Sequence, residues 1–216
     1  MMYALPFALI SLVHLVGEAV ASKPVRYLSK PLLMPALALY YLMSTEAFSW
    51  IMAAALAGGW LGDIFLMIPD RDEKRRFFKL GLVAFLLGHL FYVWAFLAWG
   101  SLGQLPVPGM LSILFFVGYG VVVFIKLKPY MGALFVPITA YIIVIVLMGV
   151  STGLCTGTQN LPAGFAVVIG ALIFMVSDTL NAWNRFAREI PYERILTMAT
   201  YLGGQFLLVY GYVQFV

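Results

Sequence analysis

Eight long apolar runs, separated by short segments rich in polar residues, glycine and proline, limit what this chain can fold into. A helix that crosses a bilayer needs roughly 20 mostly apolar residues, and most of the runs approach that length. The pattern predicts an all-α fold, a polytopic transmembrane helical bundle of about eight spans that forms a single membrane domain over residues 1–216. The runs cover about residues 3–20, 31–43, 48–68, 77–99, 107–125, 131–151, 162–182 and 195–215.

The composition agrees with lipid surroundings. Hydrophobic residues make up 63% of the chain and charged residues 10%, with a mean hydropathy of +1.00, well above a typical soluble domain. The first run has no basic segment before it and contains His14 and Glu18, so we expect a retained helix instead of a cleaved signal peptide. Cys155 is the sole cysteine, which excludes an intrachain disulfide and a cysteine-based metal cluster.

The basic residues predict an orientation. All 13 lie in or beside the first, third, fifth and seventh connections between runs, and the other connections contain none. By the positive-inside rule, the odd-numbered connections are cytoplasmic and both termini are non-cytoplasmic. This placement explains the net charge of +4 without a nucleic-acid partner. The short chain favours a bacterial inner membrane over the endoplasmic reticulum.

Ionisable side chains inside the runs need an explanation, because such a group in a span is costly unless it is paired or faces water. His14 and Glu18 are four residues apart and can pair with each other on one helix. Asp63, Asp178 and His89 have no such neighbour in sequence. Their position inside apolar runs indicates either a functional site or a polar cluster that orients the helices.

The aspartates are predicted to lie at similar depth. Each stands seven residues before a charged loop residue, which places it about 10 Å from the cytoplasmic boundary at 1.5 Å per residue. Asp178, Asn181 and Arg185 share one helical face. The simplest assembly is one cavity, entered from the cytoplasmic leaflet and lined by both aspartates. The other predicted lining residues are Lys30, His89, Tyr92, Asn181, Arg185, Tyr201 and Gln205.

A set of short motifs carries a family resemblance. They are Lys30-Pro31 opening the second run, Leu61-Gly62-Asp63 with Leu66, Gly88-His89 with Tyr92, Gly170-Ala171 with Phe174 and Ser177-Asp178, and Tyr201 with Gln205. In order and spacing, from about residue 29 to residue 210, they resemble the YhhN-like family of membrane lysoplasmalogenases. The resemblance does not extend to the first run, so it implies no role for His14 or Glu18. The loop at residues 70–76 is more highly charged than the family pattern, which leaves the headgroup preference open.

The resemblance implies a membrane hydrolase that cleaves the vinyl ether bond of lysoplasmalogens, with an ethanolamine or choline headgroup. The products would be a fatty aldehyde and a glycerophospho-alcohol. We predict a lysophospholipid substrate, a bilayer environment, no cofactor and no metal, with the oligomeric state open. The residues predicted to bind substrate are Lys30, Tyr92, Asn181, Arg185, Tyr201 and Gln205, with Lys30 and Arg185 at the lipid phosphate.

Two buried carboxylates suit this chemistry. Vinyl ether hydrolysis begins with proton donation to the alkene carbon and passes through an oxocarbenium-like state, to which water adds. One of Asp63 and Asp178 is predicted to be the general acid, and the other to stabilise the cation and activate water, as in glycosidases. His89 is predicted to assist proton movement. The residues alone leave open which aspartate has which role.

Other functions use the same residue types. A proton- or ion-coupled transporter is the main alternative, because buried acids and histidines also mark ion paths. Glycine and proline do not interrupt the runs around the aspartates, which is unlike many transporters. An intramembrane aspartyl protease is disfavoured because Trp60 and Ser177 occupy positions where its motifs have other residues. A metal hydrolase would depend on one deep histidine, His89.

Overall fold

The computed structural model describes residues 2–70, 75–100, 103, 105–158 and 160–216. These residues form eight α-helices joined by loops and short 3-10 turns, and they contain no strand. Each α-helix overlaps one predicted run, which confirms the all-α prediction. The helices are α1 (Leu5–Ala19), α2 (Lys23–Ser44), α3 (Trp50–Met67), α4 (Arg76–Leu97), α5 (Val107–Leu127), α6 (Phe135–Leu154), α7 (Leu161–Phe186) and α8 (Glu193–Val213). The charged loop singled out at residues 70–76 lies mostly outside the described residues.

Six helices of the described chain are long and apolar enough to cross a bilayer: α3 to α7, and α1 together with the turn before it. Large apolar side chains such as Leu114 on α5 point outwards, as expected of surfaces in contact with lipid. The chain is therefore a multi-pass integral membrane protein. Helices α2 and α8 have 22 and 21 residues but are more polar. The span number of eight and the position of the termini stay predictions.

Helix α2 begins earlier than predicted. The sequence predicted that Lys30-Pro31 opens this span, but the helix begins at Lys23 and includes Pro24 in its first turn, where a missing N–H is harmless. Pro31 and Pro35 both lie inside the helix. The apolar pattern misses the first two turns because they carry basic side chains, and Pro31 was mistaken for a helix start. Lys30 therefore stands inside a helix and not at its end.

The chain divides into two compact units, Met1–Tyr92 and Val93–Val216, with the boundary inside α4. The first unit contains α1, α2, α3 and most of α4. The second contains the end of α4 and helices α5 to α8. Each unit holds one of the two aspartates predicted to be catalytic.

A polar cluster joins α1 to α2 in the first unit. Nδ1 of His14 lies 2.8 Å from Oγ of Ser29, whose own hydroxyl donates to the carbonyl of Val25 at 2.6 Å. His14 must therefore be the donor to Ser29. Oε1 of Glu18 lies 3.7 Å from Nε2 of His14, and Arg26 donates to Oε2 of Glu18 at 3.1 Å. His14 and Glu18 lie side by side as predicted, but 3.7 Å is too long for a hydrogen bond, so α1 is held against α2 by the bonds of His14 with Ser29 and of Glu18 with Arg26.

In the first unit, α3 and α4 approach closely through glycines. A Cβ atom on Gly58 would lie 2.5 Å from Cα of Gly88 and 2.9 Å from the carbonyl oxygen of Ala84. Small residues allow such backbone contact between membrane helices. The glycine motifs around both Asp63 and His89 thus have a packing role.

We expect Gly58→Ala to destabilise the protein by about 1–3 kcal/mol, because the added methyl forces the two backbones apart. Unfolding in mixed micelles, followed by tryptophan fluorescence, measures this change. The matched control is Gly118→Ala on α5, where a Cβ atom would meet nothing within 4 Å. Equal stability of the two variants would show that the α3–α4 contact is not tight.

Helices α7 and α8 pack extensively against each other in the second unit. They cross where a Cβ atom on Gly170 would lie 2.8 Å from the backbone nitrogen of Leu208. The hydroxyl of Ser177 donates to the carbonyl of Thr197 at 2.9 Å, nearer the end of α7. Gly170 and Ser177 therefore mark the face of α7 that packs against α8.

Candidate active site

The carboxylate of Asp63 is paired with a lysine in the first unit. Its Oδ1 lies 3.4 Å from Nζ of Lys30, and the two side chains are 4% and 20% exposed. Asp63 stands one turn before the end of α3 at Met67, and α2 brings Lys30 beside it. Charges taken out of water must be compensated, so the ammonium balances the buried carboxylate.

His89 lies buried on α4 in the same unit. Its Nδ1 is 2.6 Å from the carbonyl oxygen of Phe85, one turn earlier. A carbonyl can only accept, so Nδ1 carries the hydrogen, and a neutral ring has its acceptor lone pair on Nε2. The same Phe85 ring packs against Gly62, the residue before Asp63. Tyr92, one turn after His89, is also buried.

Asp178 belongs to a hydrogen-bonded group of the second unit. The hydroxyl of Tyr141 on α6 donates to Oδ2 of Asp178. The hydroxyl of Tyr119 on α5 donates to Oγ1 of Thr179 at 2.9 Å, and Thr179 donates to the carbonyl of Met175 at 2.8 Å. Three helices thus contribute polar groups around one carboxylate.

These residues line a pocket between α5, α6 and α7. It encloses about 420 Å³ of empty space, its open mouth included, and most of its wall is apolar. Asp178 lies midway along the stretch of α7 that lines it, from Met175 to Ala182, a distance of about 10 Å at the helical rise. The apolar wall is formed by Gly120, Val123, Leu127, Ile138, Ile142, Ile145, Met175 and Ala182.

Four residues of the second unit that were predicted to share the cavity with Asp178 do not line this pocket, within the described part of the chain. Tyr201 and Gln205 are buried in α8, where the Tyr201 ring packs 5.5 Å from that of Phe174. Asn181 is half-buried and Arg185 is exposed in the last turn of α7. The reason is that α8 covers one face of α7, whereas the pocket lies against another face, next to α5 and α6.

Comparison with known proteins decides the family. The profile of the YhhN family matches residues 25–212. The chain belongs to the YhhN family. This YhhN protein is 31% identical to lysoplasmalogenase TMEM86B of Rattus norvegicus over 182 residues, covering 83% of the chain and 68% of that protein. It is 29% identical to lysoplasmalogenase TMEM86B of Homo sapiens over 178 residues, covering 82% and 70%.

A second human relative, lysoplasmalogenase TMEM86A, is 29% identical over 157 residues, which is 71% of the chain and 61% of that protein. No solved structure matches the YhhN protein. Helix α1 lies before the matched residues 25–212, in agreement with the predicted limit of the resemblance.

Sequence reasoning missed Tyr119, Tyr141 and Thr179 of this YhhN protein. A signal was present for the tyrosines, because each lies inside an apolar run, where a buried hydroxyl needs a hydrogen-bond partner. The sequence does not reveal which partner each hydroxyl finds. The partner depends on how α5 and α6 rotate against α7.

Proposed function

We propose that this YhhN protein is a lysoplasmalogenase, a membrane hydrolase that cleaves the vinyl ether bond of lysoplasmalogens. The observation that carries the proposal is Asp178, held by Tyr141 in an apolar pocket between helices of a membrane protein. The relatives named lysoplasmalogenase support the same activity. The substrate is a single-chain phospholipid, which reaches such a pocket from the bilayer.

The pocket suits an amphipathic substrate. Its end near Leu127 and Ala182 adjoins the last turns of α5 and α7, which carry the exposed basic side chains Lys126 and Arg185. In the proposal these cations hold the phosphate, while the alkenyl chain follows the apolar wall past Asp178. Arginine and lysine are the usual phosphate ligands. Arg185 keeps its predicted role in this scheme without lining the pocket.

The environments of the two aspartates suggest separate roles. Asp63 has an ammonium at 3.4 Å, which favours the carboxylate form. Asp178 has mostly apolar walls, which penalise a charged carboxylate, and its Oδ2 accepts from Tyr141, so that Oδ1 can hold the proton. We therefore assign Asp178 as the general acid and Asp63 as the anion that stabilises the cation and activates water.

The proposed reaction proceeds in three steps. Asp178 donates its proton to the alkene carbon that does not bear oxygen, so that positive charge spreads over the other carbon and the ether oxygen. Water adds to the charged carbon and loses a proton to Asp63, with His89 relaying protons. The hemiacetal hydroxyl then gives its proton to Asp178 while the bond from carbon 1 to the glycerol oxygen breaks. Asp63 passes to that oxygen the proton it took from water, so both aspartates are restored and the aldehyde leaves.

Aldehyde release from lysoplasmenylethanolamine by the purified protein tests the function. In D₂O we expect one deuterium at carbon 2 of the aldehyde, after its reduction to the alcohol, because protonation of the alkene places it there. The matched control substrates are the saturated ether and the ester with the same headgroup, which should release no aldehyde. Substrate flux into proteoliposomes with no lipid turnover would contradict the proposed hydrolase function and support a transporter.

A further inference from the structure

Pro35 in α2 leaves a backbone acceptor without its helical donor. In an α-helix each N–H donates to the carbonyl four residues earlier, and proline has no N–H. Pro35 therefore cannot donate to the carbonyl of Pro31. A backbone carbonyl in a membrane helix needs a partner from inside the protein, because lipid offers none.

Trp60 of α3 supplies that partner. Its indole Nε1 donates to the carbonyl oxygen of Pro31 at 2.9 Å. The tryptophan is 37% exposed, so most of its ring packs against protein while part lies on the outer surface of the unit. The bond satisfies both the carbonyl and the indole N–H, the two groups that hydrocarbon cannot satisfy.

This bond lies beside the ion pair proposed to be catalytic. Lys30 directly precedes Pro31 on α2, and Asp63 follows Trp60 by three residues, on the same face of α3. Two neighbouring residues of α2 thus bind two residues of α3 that are one turn apart. A pair of links at this spacing fixes both the rotation and the register of α3 against α2.

We propose that Trp60 is a positioning residue, whose hydrogen bond to the Pro31 carbonyl holds the Asp63 carboxylate in place against Lys30. Pro35 makes this possible by opening the acceptor. The effect on catalysis rests on the proposed function, in which Asp63 must be placed accurately. The hydrogen bond itself does not depend on that function.

Trp60→Phe keeps an aromatic ring and removes the donor. We expect kcat for aldehyde release to fall about tenfold while KM changes less than about twofold, because small misplacement of a reacting group is costly to the chemical step. The control is Trp50→Phe, since Trp50 is 80% exposed at the beginning of the same helix, and it should leave kcat unchanged. Wild-type kcat in Trp60→Phe would overturn the proposal.

Two further variants separate positioning from general stability. Trp60→Phe leaves the Pro31 carbonyl without a donor, so its unfolding midpoint should fall. Adding Pro35→Ala gives that carbonyl a helical donor, so the midpoint should recover while kcat stays low. In a Lys30→Met background, Trp60→Phe should lower kcat by less than about twofold, because residues acting through one interaction are not additive. Recovery of kcat with the midpoint, or full additivity, would mean that Trp60 serves stability alone.

A readout without activity keeps this inference distinct from the proposed function. The protein has five tryptophans, so Trp60→Phe identifies the Trp60 indole N–H signal in a nitrogen-15 spectrum. We expect that signal to exchange more slowly with D₂O than the Trp50 indole. Fast exchange would show that the hydrogen bond is absent. If the protein releases no aldehyde but the Trp60 indole proton exchanges slowly, the proposed function is wrong and the link between α2 and α3 is still supported.

Discussion

Asp178→Asn is expected to lower kcat for aldehyde release by about 10²–10⁴-fold, the usual contribution of a positioned general acid. The amide keeps the size of the side chain and can still accept from the Tyr141 hydroxyl, but it has no proton to give to the alkene. Because the polar partner remains, the unfolding midpoint should change little. The measurement is aldehyde release at saturating lysoplasmenylethanolamine, together with unfolding in mixed micelles.

The matched control is Glu46→Gln, which neutralises an exposed carboxylate in the connection between α2 and α3. This variant should retain wild-type kcat. A folded Asp178→Asn protein with more than about a tenth of the wild-type kcat would remove Asp178 as the acid. Deuterium incorporation at carbon 2 would then have to come from another donor.

Neutralising Lys30 is expected to have the largest effect on stability. In Lys30→Met, the buried Asp63 carboxylate loses the ammonium at 3.4 Å, and removing one partner of a buried ion pair costs about 3 kcal/mol. The double variant Lys30→Met with Asp63→Asn removes both charges and should regain most of that stability. Its activity should stay low, about 10²-fold below wild type, because the catalytic anion is absent.

This pair of variants separates two roles for Lys30. The sequence placed it at the lipid phosphate, where its loss would raise KM and leave stability unchanged. The ion pair with Asp63 predicts instead a loss of stability that the second substitution reverses. A stable Lys30→Met protein with only a raised KM would support the phosphate role and contradict the structural one. Unfolding midpoints and a full kinetic comparison of the three proteins decide between them.

The sequence alone determined that the chain is an all-α membrane protein, because apolar runs of that length are stable only as helices in lipid. It also identified Asp63, Asp178 and His89, since the cost of burying an ionisable group makes each one conspicuous. Hydropathy placed most helices well and failed at α2. There the first turns are polar, and proline inside a helix resembles a helix start.

The tertiary structure decided which side chains meet. Tyr141 and Asp178 are 37 residues apart in sequence, and Trp60 and Pro31 are 29 apart, so neither contact has a local pattern. Tyr201 and Gln205 share polar character with the other candidates, yet they lie on α8, which covers a different face of α7 from the one that lines the pocket. Polarity depends on the residue alone, whereas a hydrogen-bond partner depends on the rotation and register of two packed helices, which only their packing fixes.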